Sequence, residues 1–133
     1  SIAYLLKANG DLEIPVNDVL ETYFYLCSYE SKIATVAHLP LILANGGLSP
    51  TGERIISERT SNHVVSIMAT CGLYNESGAH LVATGMPAKS GVSGLMVAVA
   101  TGRGGLSVCS PKLNAKGGSI RGHAILKKIS DMS

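Results

Sequence analysis

The order of elements along the chain predicts an α+β fold in which an antiparallel sheet is flanked by helices. Three observations carry that expectation: amphipathic helical patterns fill the stretch up to Gly72, apolar strand-like runs separated by glycine follow it, and one more helical pattern closes the chain. With 133 residues the chain is one domain or a piece of one, because two separate cores would each bury too little to offset chain entropy.

Pro15-Val16-Asn17-Asp18 reads as a helix start, with Asn17 as the capping residue and Asp18 and Glu21 where the helix dipole favours negative charge. That helix is expected to reach about Tyr29 and to turn Leu20, Tyr23, Phe24 and Cys27 inward on one face. Ser31 starts a second helix that ends at Asn45-Gly46-Gly47, with Pro40 kinking or shortening it. A turn over Ser49-Pro50-Thr51-Gly52 and a short extended piece at Arg54-Ile55-Ile56 lead to a third helix. Ser57 caps it, Val64, Ile67, Met68 and Cys71 form its apolar face, and Gly72 closes it.

Val92 to Val99 is apolar on both alternating faces, which predicts a central strand covered on each side. Thr101-Gly102-Arg103-Gly104-Gly105 turns it into Leu106-Ser107-Val108-Cys109, an antiparallel partner that Pro111 terminates. Ser119 begins the last helix, with Ile125, Leu126, Ile129 and Met132 inward. Two strands make a poor sheet, so more are expected from Ser77 to Gly85, from polypeptide outside this stretch, or from both.

Composition narrows the function classes. Apolar residues make up 46% and charged ones 15%, which excludes a disordered chain and is apolar for so small a domain, so part of this surface is expected to be covered by further polypeptide. No apolar run approaches the ~20 residues of a membrane span, and the amino end lacks both the basic region of a signal peptide and an initiator Met. Cys27, Cys71 and Cys109 are odd in number and far apart, which argues against a disulfide framework or a zinc site and for a reducing compartment. From Lys89 onward seven basic residues face the single Asp131, yet every aromatic residue lies at or before Tyr74, so nucleic acid has no ring to stack on in the cationic third.

Among the motifs, Ala83 to Ser90 has the length of a phosphate-binding loop but alanine where glycine is needed, and Gly102-Arg103-Gly104 lacks the third glycine of a dinucleotide fingerprint. Lys89-Ser90-Gly91, at the entrance to the predicted central strand, combines a cation, a hydroxyl and a bare backbone amide. It is similar to the Lys-Thr/Ser-Gly element of the β-lactamase and penicillin-binding fold.

A wider set of segments bears a resemblance to one family. Leu43-Ala44-Asn45-Gly46-Gly47, Thr51-Gly52-Glu53-Arg54, Tyr23-Phe24-Tyr25-Leu26-Cys27-Ser28, Cys71-Gly72-Leu73-Tyr74-Asn75-Glu76-Ser77-Gly78 and Gly85-Met86-Pro87-Ala88-Lys89-Ser90-Gly91-Val92-Ser93-Gly94 resemble, in order, the glutaminase family of serine amidohydrolases. The resemblance implies a β-lactamase/transpeptidase-like fold, of which residues 1–133 are the carboxyl-terminal portion of a single catalytic domain, here an incomplete fragment. It implies hydrolysis of L-glutamine to L-glutamate and ammonia through a serine acyl-enzyme, without a cofactor or metal. Tyr23, Tyr74 and Val92 fall on positions that contact the substrate, Val92 through its backbone. Tyr74 is also expected to shuttle protons, and Lys89 to add positive field. The implied setting is a cytoplasmic homo-oligomer, mitochondrial if eukaryotic.

The family draws its nucleophile and base from Ser-x-x-Lys, and no lysine here has serine three residues before it. Residues 1–133 are therefore expected to be inactive alone, the other part of the same domain supplying the nucleophile. The loop at Ser49-Pro50-Thr51-Gly52 is one residue shorter than the family pattern, and Pro40 interrupts a helix expected to be continuous. Taken without the resemblance, Tyr23 reads as a core tyrosine, Tyr74 as a turn anchor, Val92 as sheet core and Lys89 as an exposed lysine. His38, His63, His80 and His123 are read as mutually distant, without metal-ligand spacing, and are assigned no role, and Cys71 is expected to be buried and inert. A β-lactamase or penicillin-binding relative, or a non-catalytic binding module drawn to acidic partners, are the other functions this sequence allows.

Overall fold

The core of the fold lies on both faces of a short antiparallel sheet, as the doubly apolar strand pattern requires. The computed structural model describes residues 2–132 and divides into two units, Ser1–Ser31 and Lys32–Ser133.

The first unit pairs α1 (Ile2–Ala8) with α2 (Val16–Cys27). Its first helix was not expected from the sequence. α2 lies where its pattern predicts, but its cap is Pro15 rather than Asn17 and makes no side-chain hydrogen bond. Proline suits the position, since it presets φ near −65° and the amide it lacks has no partner in a first turn. The apolar stripe is not turned inward: Tyr23 is 60% exposed and Phe24 58%. Within this unit Val16 is the buried hydrophobic residue.

In the second unit, the helix expected from Ser31 to Ala44 is two, α3 (Ile33–Val36) and α4 (His38–Ala44). Pro40 explains the break, because its ring clashes with the carbonyl four residues back, at Val36, in any continuous helix. In the first turn of α4 the same ring costs no hydrogen bond, and Pro40 is buried there. α5 (Glu58–Cys71) matches its expected bounds: Ser57 Oγ accepts from Thr60 N–H, a cap worth about 1 kcal/mol, and Glu58 sits in the first turn. Met68 is buried on its inner face, but Ile67 and Cys71 are exposed, which corrects the expectation for that thiol.

Residues 77–85 supply no strand. They form α6 (Ser77–Thr84), ended by Gly85 in the left-handed conformation at φ 67°. The third strand is instead β1 (Ala88–Ser90), which pairs antiparallel with β2 (Leu95–Ala100), itself paired antiparallel with β3 (Gly104–Cys109). The central strand thus begins three residues later than expected. Lys89 lies opposite Val97 on the outer strand, and Val92 lies in the intervening turn.

α7 (Ile120–Asp131) completes the order. Its cap Ser119 is buried, with Oγ accepting from Gly122 N–H and donating to the Ser110 carbonyl. On one face of β2, Met96 and Ala98 pack with Leu73, Met86, Ala88 and Leu126; on the other, Val99 packs with Ala44 and Met68. One helix therefore covers one face and α4 with α5 the other, the two-sided cover the strand pattern demanded. Of the inward positions expected on α7, Leu126 is fully buried, whereas Ile125 and Met132 are exposed. Among the described residues, no helix is long and apolar enough to cross a membrane.

Candidate functional site

The site forms where the carboxyl end of α5 meets β1. Gly72 ends the helix with its backbone against the strand: a Cβ there would stand 2.0 Å from the Ala88 carbonyl oxygen. Only glycine permits that approach. The Gly72 carbonyl in turn accepts from Ser90 N–H at 3.3 Å, so the corner after α5 is bonded to the outer edge of β1.

Directly after this contact the chain reverses through a single 3-10 turn, η1 (Tyr74–Glu76), into α6. Ser77 holds the reversal. Its buried Oγ accepts from Leu73 N–H at 2.9 Å and donates to the Tyr74 carbonyl at 2.9 Å. Between these bonds Tyr74 adopts φ 54°, the one positive φ of a non-glycine residue among those described. A bulky side chain in the left-handed region costs about 1–2 kcal/mol and persists where its surroundings fix it.

The consequence is a tyrosine held outward, 69% exposed, beside the strand that carries Lys89. The Lys89 ammonium lies over the Tyr74 ring, 5.1 Å from its centroid, and donates to the Ser90 carbonyl. A cation on that face is attracted by the ring quadrupole. Two of the four expected site residues are thus brought together. Val92 follows the end of β1 by two residues and is 90% exposed, so it is not sheet core. Exposure suits a residue whose backbone is to meet a ligand. Tyr23 belongs to the first unit, where its ring meets Phe24 edge-on at 6.2 Å.

A second cluster, absent from the sequence expectations, adjoins the same turn. His80 on α6 and His123 on α7 bring their Nδ1 atoms to 3.1 Å, which corrects the reading of the histidines as mutually distant. His123 Nε2 lies 3.7 Å from Glu76 Oε2, beyond hydrogen-bond reach but within an ion pair's. Asn114 Nδ2 donates to Glu76 Oε1 at 2.8 Å. Glu76, His80 and His123 border a cavity of about 450 Å³ whose rim includes Lys116 and Lys127. Burial, then the neighbouring His123, pushes the His80 pKa down, against an upward pull from Glu76. Had residues 77–84 been read as a helix, the three-and-four spacing of Ser77, His80 and Thr84 would have placed His80 on its inner face. Among the described residues no group of three or more His, Cys, Asp or Glu side chains is arranged to hold a metal ion.

Comparison with known proteins adds a consistent set of matches. A family profile described as Glutaminase matches residues 1–133. A Legionella pneumophila glutaminase is 52% identical over 98% of this chain, and a Fusobacterium nucleatum glutaminase 41% identical over 98%. The chain spans 42% of the first of these and 43% of the second, well under half their length. Among solved structures, a probable glutaminase from Bacillus subtilis complexed with 6-diazo-5-oxo-L-norleucine superposes with a TM-score of 0.90 at 34% identity, over 98% of this chain and 45% of its own. A covalent complex of Bacillus subtilis glutaminase with 5-oxo-L-norleucine, formed by reaction with the diazo compound, superposes equally well over 47% of its own chain.

Proposed function

The chain belongs to the glutaminase family, and from that premise we propose that residues 1–133 form the carboxyl-terminal portion of a glutaminase catalytic domain that hydrolyses L-glutamine to L-glutamate and ammonia. The observation that carries the reading is the pairing of Lys89 with Tyr74 at the corner of α5 and β1, inside the segments that resemble the family. In this reading the substrate's side-chain amide is attacked by a serine, ammonia leaves, and water releases glutamate from the acyl-enzyme. The covalent 5-oxo-L-norleucine complex of the Bacillus subtilis relative supports it, since a diazo ketone shaped like glutamine is captured, with loss of dinitrogen from the carbon beside its ketone, by a nucleophile poised to attack the amide carbon.

The roles are those the resemblance implies. The Tyr74 hydroxyl, on a ring that the turn holds outward, moves protons between the nucleophile and the leaving ammonia. The Lys89 ammonium supplies positive field where the carbonyl oxygen becomes negative. Val92 offers its backbone and Tyr23 its ring to the substrate. Residues 1–133 contain no serine three residues ahead of a lysine, so the reading assigns nucleophile and base to a part of the domain this stretch does not include, and residues 1–133 alone release no ammonia. The finer parts of the reading are a homo-oligomer and a cytoplasmic setting, tested by sedimentation and by cell fractionation.

The deciding experiment is ammonia release from L-glutamine by the full-length protein, with inactivation by 6-diazo-5-oxo-L-norleucine. Absence of both, or covalent capture of a β-lactam reporter in their place, refutes the assignment.

A further inference from the structure

Glu76 shares its turn with Tyr74, and two side chains, Asn114 and His123, hold it. Asn114 donates to Glu76 Oε1, while its own Oδ1 accepts from the amides of Lys116 and Gly118 at 2.9 and 3.0 Å. The loop that presents Asn114 is therefore folded around that side chain. Gly118 completes the seat: a Cβ there would stand 2.6 Å from Glu76 Oε2 and 2.7 Å from His123 Nε2. Any larger residue would wedge the carboxylate away from the imidazole.

The histidine pair can be assigned protons by elimination. One Nδ1 must donate and the other accept, because two N–H groups cannot meet at 3.1 Å. Both Nε2 atoms are buried without a hydrogen bond, and a buried donor with no partner is costly. Cost is least with His80 Nδ1–H donating to His123 Nδ1, the His123 Nε2–H facing Glu76, and His80 Nε2 bare. A further proton has no good place. On His123 Nδ1 it opposes the His80 N–H, and on His80 Nε2 it creates an orphaned buried donor.

We infer that Glu76 is a positioning residue for Tyr74, and that the His80–His123 pair behind it makes this positioning sensitive to acid. The path is short: α7 carries His123, His123 faces Glu76, and Glu76 lies two residues from Tyr74 in a one-turn helix. The pair also joins α6 to α7, which Ser130 bonds a second time through the Thr84 carbonyl at 2.8 Å. The charged groups around the pair are Glu76 on η1, Lys116 on the loop and Lys127 on α7, while α5 lends no side chain to the cavity they border.

The direction with pH follows from His80. Its folded-state pKa lies below the ordinary 6.5, so the folded chain binds fewer protons there than the unfolded one. The stabilisation is complete above about pH 6.5 and is lost as the pH falls through the lower, folded value. Burial and the neighbouring His123 favour the neutral His80 and Glu76 works against them, while the Lys127 ammonium on the cavity rim is paired with Asp131 at 2.9 Å.

The test uses the full-length protein carrying ring-labelled tyrosine and histidine, followed by NMR from about pH 8 to about pH 5, with Tyr74 assigned by the signal lost in Tyr74→Phe. The Tyr74 ring signal is expected to shift together with that of His80, at a midpoint below the ordinary histidine value. His123→Gln leaves His80 able to titrate but removes the imidazole that links it to Glu76, and abolishes the pH-dependent shift of Tyr74. Glu76→Gln keeps the Asn114 bond but removes the charge, and moves the midpoint to lower pH. Gly118→Ala displaces the Tyr74 signal even near pH 8, a readout that stands if His123→Gln does not fold. A Tyr74 signal that stays flat while His80 titrates overturns the inference, as does an unaltered profile in the variants. The inference rests on the proposed role of Tyr74 only for its effect on turnover. A coupled titration in a protein that releases no ammonia keeps it and ends the glutaminase reading, and ammonia release with a flat Tyr74 signal does the reverse.

Discussion

Replacing Ser77 by alanine removes the one hydroxyl that holds the Tyr74 turn closed. Ser77 is 4% exposed and Leu73 3%, so the Leu73 N–H it satisfies has no access to water once the oxygen is gone. An orphaned buried donor costs about 1–3 kcal/mol. The Tyr74 carbonyl on the other side of the hydroxyl belongs to an exposed residue, and water replaces that bond at little cost. Against the loss stands the left-handed Tyr74, whose strain of about 1–2 kcal/mol is partly released when the turn relaxes. The net expectation is a destabilisation of about 1–2 kcal/mol, read as a lower guanidinium midpoint at unchanged slope in the full-length protein. The effect on turnover is larger than the effect on stability, because a displacement of about 1 Å at a catalytic group costs on the order of 10²-fold. Tyr74→Gly, which has no left-handed strain to release, makes the two substitutions non-additive. A Ser77→Ala variant within about 0.5 kcal/mol of the parent, with turnover intact, would show that the hydroxyl does not hold the turn.

Three further substitutions separate the proposed roles. Tyr74→Phe keeps the ring under Lys89 but removes the hydroxyl, and ammonia release by the full-length protein should fall by about 10² to 10⁴ with the fold unchanged; full turnover would end the proton-transfer role. Val92→Ala should leave substrate affinity nearly unchanged, because that side chain is 90% exposed. Val92→Pro, which deletes the amide, should raise KM about tenfold, matching one hydrogen bond to a charged group, and an unaltered KM would exclude its backbone. Leu126→Ala, at a fully buried position against Met96 and Ala98, should cost about 2–5 kcal/mol by denaturation, whereas Ile125→Ala on the exposed side of the same helix should stay within about 0.5 kcal/mol.

What was legible in the sequence had a local signal. Ser57 and Ser119 cap their helices as expected because a serine ahead of an apolar repeat meets its amide within three residues, whatever the rest of the chain does. The two-sided burial of the central strand was legible for the same reason, since it is written in consecutive residues. Positions that depend on where distant segments meet were not. Nothing local separates a strand from a helix over Ser77-Gly78-Ala79-His80-Leu81-Val82-Ala83-Thr84; the buried Ser77 and His80 fix the helix through partners at Leu73 and His123. The inward turn of Tyr23 failed for a related reason: periodicity gives α2 an apolar face but says nothing of what covers it. Val92 was read as core from its neighbours' character, although a turn at Gly91 to Gly94 delays the strand until Leu95.

The candidate site mixes these two kinds of information, and the mixture explains why a resemblance found it where periodicity could not. Lys89 and Tyr74 are 15 residues apart and lie on elements of different type, so no spacing rule joins them. What joins them is the contact of Gly72 with Ala88, too close for any side chain, and the Ser77 clasp that turns Tyr74 back toward β1. Glycine and serine here are geometric requirements with no amphipathic signature, and they can be read from sequence only as a set. Cys71-Gly72-Leu73-Tyr74-Asn75-Glu76-Ser77 and Ala88-Lys89-Ser90 carry the two sides of one contact, so a chain that retains both retains the distance between the tyrosine and the lysine. A substitution at Gly72 should therefore damage the Lys89–Tyr74 pairing more than one at the exposed Asn75 between them, a comparison that the tyrosine ring signal reads without any substrate.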